Sequence, residues 1–171
     1  MKKSVLAICT LLVCAPLAAN ASMTFPGVPN IPIKKGISFN GFFRNHQPVK
    51  LLFAVAQPGP QVTESLWNAA LCIKYLQRMH YRYKMHVVFY SGGVKVANMF
   101  SEKNSKWAPL LRKLHKEGVT FSVCHNAMVL FHLRTRDIYP YMRVIPAGIL
   151  SIAEYEMRGY QPIFNPNSVS S

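Results

Sequence analysis

Runs of almost purely apolar residues restrict the fold of this chain more than any other feature. From Val49 the sequence reads VKLLFAVAQP and closes in a Gln57-Pro58-Gly59-Pro60 turn, and MHVVFY (85–90) is a second run of the same kind. Strands without polar alternation belong in a sheet that is covered on both faces. We therefore predict strands buried between two layers of helices.

Helical patterns separate these strands. A helix from Thr63 to about Met79 has an apolar stripe at helical spacing, and Trp107 to His115 is amphipathic with Gly118 as its cap. The later elements are a strand after Val119, a helix over 127–138, a strand at 144–145, a helix over 149–157 and an edge strand over 160–164. The alternation predicts an α/β fold with a parallel sheet and helices on both faces.

The segment VTFSVCHNAM (119–128) places a cysteine where a strand meets a helix. Ligands bind at this edge of open α/β sheets, and the free N–H groups of a helix start favour a thiolate over a thiol. Cys124 is therefore the candidate nucleophile, with His125 as its helper and Asn126 shaping the turn. A buried structural cysteine at the end of a strand is the alternative interpretation.

The sequence contains few motifs for cofactor binding, metal binding or a catalytic triad. There is no G-x-G-x-x-G, Walker-type or G-x-S-x-G motif, so we predict no cofactor. Adjacent Cys124 and His125 would diverge in a strand, and no His-x-x-x-His or Cys-x-x-Cys pair exists, so we predict no metal. Asp137 and a few glutamates are the only acids for a triad. The loop Ser91-Gly92-Gly93 reads as a tight turn, and we expect it to form a pocket wall beside Cys124.

The first 21 residues have the pattern of a signal peptide. Two lysines precede an apolar stretch over 5–17 that is too short to span a bilayer, and Ala19-Asn20-Ala21 is a cleavage signal. We expect cleavage after Ala21 and export to the periplasm. Lipid attachment at Cys14 is the minor alternative. No later segment is apolar enough to serve as a stable membrane anchor.

The remaining chain divides into three parts. Residues 22–48 form a Pro/Gly-rich arm, 49–166 the folded domain, and 167–171 a tail. The aromatic residues of the arm predict that part of it packs on something. Only Cys72 and Cys124 of the 4 cysteines follow the signal peptide, too few for a disulfide scaffold. Cys72 lies on the apolar side of its helix and is predicted to be a small core residue.

Lysine and arginine outnumber acidic residues 20 to 6, for a net charge of +14. Without the signal peptide, 18 basic residues face the 6 acidic ones, for a net charge of +12. The basic residues are dispersed, with no run longer than a pair such as Lys34-Lys35, and no nucleic-acid-binding motif accompanies them. We therefore expect no nucleic-acid partner. The charge suits a cationic exported protein, and equally one that takes an anionic small substrate.

Four segments in order resemble the DsrE/DsrF-like family. They are KLLFAVAQP, HVVFYSGGVKVANMF, LRKLHKEGVTFSVCHNAM and IPAGILSIAEYEMRGYQPIF. The resemblance covers about 49–166 and is most specific at Gly118-Val119 with Cys124 and Asn126. It implies a three-layer α/β/α sandwich on a mostly parallel five-stranded sheet, and a homo-oligomer. In the sulfur-relay members, the cysteine matching Cys124 accepts sulfur as a persulfide and passes it to a partner protein.

Three hypotheses follow. In the first, Cys124 carries sulfur between a donor and an acceptor protein, with His125 assisting. In the second, the protein is a non-catalytic oligomer that binds a small anionic ligand at the same sheet edge. In the third, a Cys72–Cys124 disulfide makes both cysteines structural, which an oxidising compartment permits.

Overall fold

A computed structural model of the protein describes residues 23–39 and 41–165. Its strands are β1 (Val49–Val55), β2 (Tyr83–Phe89), β3 (Thr120–Cys124), β4 (Met142–Ile145) and β5 (Gln161–Ile163). All pairings are parallel, in the order β4-β3-β2-β1-β5. This confirms the predicted parallel sheet with the last strand at its edge. The predicted signal peptide and the tail lie outside the described residues.

Helices cover both faces of the sheet. They are α1 (Phe42–Asn45), α2 (Pro60–Arg78), α3 (Ala108–Lys116), α4 (His125–Leu130) and α5 (Gly148–Met157), with 3₁₀ segments at Ser91–Ala97, Glu102–Trp107 and Thr135–Asp137. On one face, Phe53 and Phe121 of the strands pack against α2 and α3 in the larger core. On the other face, Leu52 and Val88 pack against Ile152 of α5. The chain is thus an α/β/α sandwich, as predicted.

The helix predicted over 127–138 is wrong in its second half. Helix α4 ends at Leu130, and His132 adopts a left-handed conformation with φ 55°. The Leu133 N–H donates to the Met128 carbonyl at 2.9 Å, closing the helix end. Residues 135–137 form a 3₁₀ turn instead. The early stop leaves α4 six residues long.

The arm packs on its own chain. Phe25 is buried in the larger core, and the partly buried Phe43 packs against that core. Lys74 of α2 donates through Nζ to Asn30 Oδ1 at 2.6 Å and to the Ile31 carbonyl at 3.0 Å. These contacts hold the arm along α2.

Candidate functional site

Strand register brings the sequence-predicted residues to one edge of the sheet. Phe89 of β2 pairs with both Val55 of β1 and Val123 of β3, so these strands end almost level. Cys124 is the last residue of β3 and immediately precedes α4. The junction therefore lies at the carboxyl edge of a parallel sheet, where ligands bind in open α/β folds.

The first turn of α5 lies directly on Cys124. Added to Gly148, a Cβ atom would lie 3.2 Å from the Cβ of Cys124 and 2.5 Å from the Cβ of Tyr90. Only glycine allows so close an approach, and it leaves Cys124 just 6% exposed. The N–H groups at the start of this ten-residue helix favour a negative charge next to them. The position of this helix start next to Cys124 could not be predicted from the sequence, because only the folded register brings the two together.

His125 and Asn126 occupy the start of α4, and both are exposed. The Asn126 N–H donates to the Pro146 carbonyl at 3.3 Å, which ties this start to the turn before α5. Among the described residues, the His125 side chain has no hydrogen-bond partner and is not bonded to Cys124. The structure thus brings both residues to the edge without joining them to the thiol.

The loop Ser91-Gly92-Gly93 begins a 3₁₀ segment that contacts both β3 and α4. The Gly93 N–H donates to the Ala56 carbonyl at 2.7 Å, so the loop is docked on the end of β1. A Cβ atom on Gly93 would lie 2.2 Å from the Val55 oxygen. Ser91 is exposed in a left-handed conformation, with φ 47°. The loop is therefore a rigid border of the same edge.

Two charged side chains near this edge, a lysine and an aspartate, have different partners. The Lys95 ammonium, on the 3₁₀ segment, lies 4.1 Å from the centroid of the Phe131 ring just after α4. Asp137 accepts hydrogen bonds from the Arg134 guanidinium and backbone N–H, and these bonds lower the pKa of its carboxyl. Asp137 is bonded to Arg134 and not to His125, so these two residues do not form part of a triad. The cation at Lys95 is another feature that spacing along the chain did not reveal.

Comparison with known proteins gives the family. The family model of the DsrE/DsrF-like family matches residues 50–164. The chain belongs to this family. No curated protein matches the sequence significantly.

Two solved structures resemble this DsrE/DsrF-like protein. The protein of unknown function MTH1491 from Methanobacterium thermoautotrophicum aligns with a TM-score of 0.58 and 22% identity, covering 66% of this chain and 96% of its own. The ychN protein from E. coli aligns with a TM-score of 0.46 and 15% identity, covering 67% and 97%. The likeness to MTH1491 shows a shared fold.

The two cysteines of this DsrE/DsrF-like domain are free thiols in different places. Cys72 is only half-buried, which corrects its prediction as an enclosed core residue. It faces a cavity between α2 and the arm, because the arm does not fill that space. Burial still raises the pKa of its thiol.

Within 23–39 and 41–165, no group of three or more His, Cys, Asp or Glu side chains could hold a metal ion. In the same residues, no helix is both long and apolar enough to cross a membrane.

Proposed function

We propose that this protein carries sulfur as a persulfide on Cys124, as the sulfur-relay members of the DsrE/DsrF-like family do. The observation that carries the proposal is the packing of the Gly148 helix start against Cys124 at the carboxyl edge of the sheet. N–H groups at a helix start favour a thiolate, and equally a persulfide anion that replaces it.

The transfer needs no oxidant and no metal. The Cys124 thiolate attacks the outer sulfur of a donor persulfide, R–S–SH; a new S–S bond forms, the donor S–S bond breaks, and RS⁻ leaves. A thiolate of the acceptor protein then attacks the outer sulfur on Cys124, and the Cys124 thiolate is released. Electrons balance in both steps because one S–S bond is exchanged for another.

The neighbouring residues have different roles in this proposal. His125, exposed at the start of α4, supplies or receives the proton of the donor or acceptor thiol. Asn126 fixes the turn through its bond to Pro146. The Ser91-Gly92-Gly93 loop borders the sheet edge beside Cys124.

We expect a sulfane-sulfur donor to add the mass of one sulfur atom to the wild-type protein and nothing to Cys124→Ser. Intact-mass spectrometry under non-reducing conditions measures the adduct, and peptide mapping locates it. Cys72→Ser is the matched control and retains the adduct, since burial raises the pKa of the Cys72 thiol and keeps it protonated. Although Cys124 is the less exposed of the two cysteines, alkylation at neutral pH should modify it before Cys72, because the neighbouring helix starts favour its thiolate. An adduct on Cys72, or equal labelling of both cysteines, contradicts the proposal.

The same experiment distinguishes the alternatives. A non-catalytic protein that binds a small anionic ligand would show an accessible Cys124 thiol but no stable persulfide; the exposed Lys95 ammonium favours this second candidate. The Cys72–Cys124 disulfide of the third hypothesis does not form in the structure, where both cysteines are free thiols, so both should react without a reductant.

We also propose that the protein is a homo-oligomer. Helices α4 and α5 start together at the site and carry exposed apolar side chains at Val129, Leu130, Ile149 and Leu150. Adjacent exposed apolar residues of this kind are typical of protein–protein contacts. A surface next to Cys124 would also suit a sulfur donor or acceptor protein.

The mature protein is expected to begin at Ser22 and to reside in the periplasm. The basis is the short apolar stretch followed by Ala19-Asn20-Ala21. N-terminal sequencing of protein from the periplasmic fraction measures this directly. A chain that still begins at Met1, or a lipid on Cys14, would contradict it.

A further inference from the structure

A cavity of about 430 Å³ lies on the opposite side of the fold's central strands from β3 and Cys124. Its walls are α2, strand β1 and the edge strand β5, and aromatic residues of the arm form its roof. The volume is within the range of small-molecule sites, roughly 300–1,000 Å³. None of the residues proposed to handle sulfur lines it.

The lining is apolar and uncharged. It includes Leu71 and Tyr75 of α2, Phe53 of β1 and Ile163 of β5. Asn68 is the one amide, and its Nδ2 donates to Asn165 Oδ1 at 3.1 Å. The interior therefore has no charged side chain to pair with a buried ionic group and suits a hydrocarbon body.

The arm residues that cover the cavity are apolar and partly exposed to solvent, so the opening of the cavity is also apolar. The Phe39 ring stands edge-on to Phe43 at 4.8 Å and to Tyr75 at 5.5 Å, yet 57% of Phe39 is exposed. Phe164, which follows the lining residue Ile163, and Ile37, two residues before Phe39, are also exposed. Exposed apolar residues around an apolar cavity are typical of ligand entry sites.

The arm that covers the cavity carries exposed basic side chains. The described arm contains Lys34, Lys35 and Arg44 and no acidic residue; the nearest acid in the sequence, Glu64, lies in the first turns of α2. Arg44 directly follows the lining residue Phe43. A ligand with an apolar body and an anionic head would place its body in the cavity and its head among these cations.

We propose that this cavity binds a free medium- or long-chain carboxylate, with the hydrocarbon chain between α2 and β5 and the carboxylate at the cationic arm. Dodecanoate is the probe. Affinity should rise by about tenfold for every two methylenes from octanoate to dodecanoate, because each added methylene is buried in the cavity. Dodecylamine, with the same chain and the opposite charge, should bind more weakly.

Two arm variants test the location. Phe39→Ala removes part of the roof and is expected to weaken dodecanoate binding by about tenfold. Phe42→Ala is the matched control, since Phe42 is 56% exposed on the same arm but does not line the cavity; its affinity should stay within about twofold of the wild type. Isothermal titration calorimetry gives the affinities, and circular dichroism checks that both variants fold.

Cys72 supplies a second readout because its thiol lines the same cavity. Dodecanoate should slow alkylation of Cys72 by N-ethylmaleimide, followed by peptide mass mapping, while labelling of Cys124 serves as the internal reference. The proposal is overturned by absence of dodecanoate binding, by equal affinities of the two arm variants, or by an unprotected Cys72. The proposal is also overturned if Phe39→Ala converts an oligomer into monomers, or if the protein binds anionic vesicles but not dodecanoate.

Discussion

Gly93→Ala is expected to destabilise the protein by about 3 kcal/mol, a large effect for the addition of one methyl group. Its Cβ would lie 2.2 Å from the Val55 oxygen and 2.9 Å from the Val55 carbonyl carbon. These are backbone atoms of a central strand, so no side-chain rotation relieves the clash. The loop has to lift off β1, which also breaks the 2.7 Å bond from the Gly93 N–H to the Ala56 carbonyl.

Gly92→Ala is the matched control for this prediction. A Cβ on Gly92 would meet only Pro58 Cδ at 3.3 Å and the Ala56 oxygen at 3.5 Å. Its stability should stay within about 1 kcal/mol of the wild type, because the tight contact is offset by the reduced entropy of the unfolded chain. Thermal unfolding should separate the two variants by roughly 10 °C. Equal melting temperatures would show that the loop is not docked on β1.

The pattern of neighbouring residues in the sequence was sufficient to predict the parallel sheet and the position of Cys124 at the end of a strand. The runs that became β1 and β2 are apolar on both faces, and no other element of that length buries so continuous a run. Gly118 was predicted as a cap, and it follows α3 with φ 88°. These features depend on neighbours in the sequence, so the sequence alone reveals them.

Features that depend on distant parts of the chain escaped the sequence analysis. The approach of Gly148 to Tyr90 and Cys124 depends on the order of β2, β3 and β4 in the sheet. The early end of α4 depends on a left-handed His132, a conformation that the identity of the residue does not signal. The cavity beside Cys72 depends on how the arm crosses α2. The parts of the site that the sequence did not predict are therefore those that depend on contacts between residues far apart in the chain.

His86 lies between the sheet and α5, and it should make the stability of the protein fall in mild acid. The residue is 3% exposed, and its ring stacks on Tyr155 with 3.9 Å between centroids. Thr120 Oγ1 donates to the Met85 carbonyl and so accepts from Nδ1, at 2.6 Å. Nε2 accepts from the Ser122 hydroxyl at 2.9 Å, which leaves the imidazole neutral.

Burial, and then repulsion by Arg143, lowers the pKa of His86 from 6.5 to about 3. Above pH 6.5, both the folded and the unfolded states hold a neutral imidazole, and stability is unaffected. As the pH falls from 6.5 towards 3, only the unfolded state takes up the proton, so stability is lost. Between pH 7 and pH 5 the free energy of unfolding should drop by about 2 kcal/mol on this account.

Urea unfolding of wild type and His86→Gln at pH 7 and pH 5 measures this loss. The variant has no proton to take up at this position, so its free energy of unfolding should change by about 2 kcal/mol less between the two pH values. The comparison of the two proteins cancels the contribution of the carboxylates to the pH dependence of stability. This includes Asp137, whose lowered pKa affects stability mainly in stronger acid. Equal pH dependence in both proteins would mean that His86 takes up its proton in the folded state as readily as in the unfolded one.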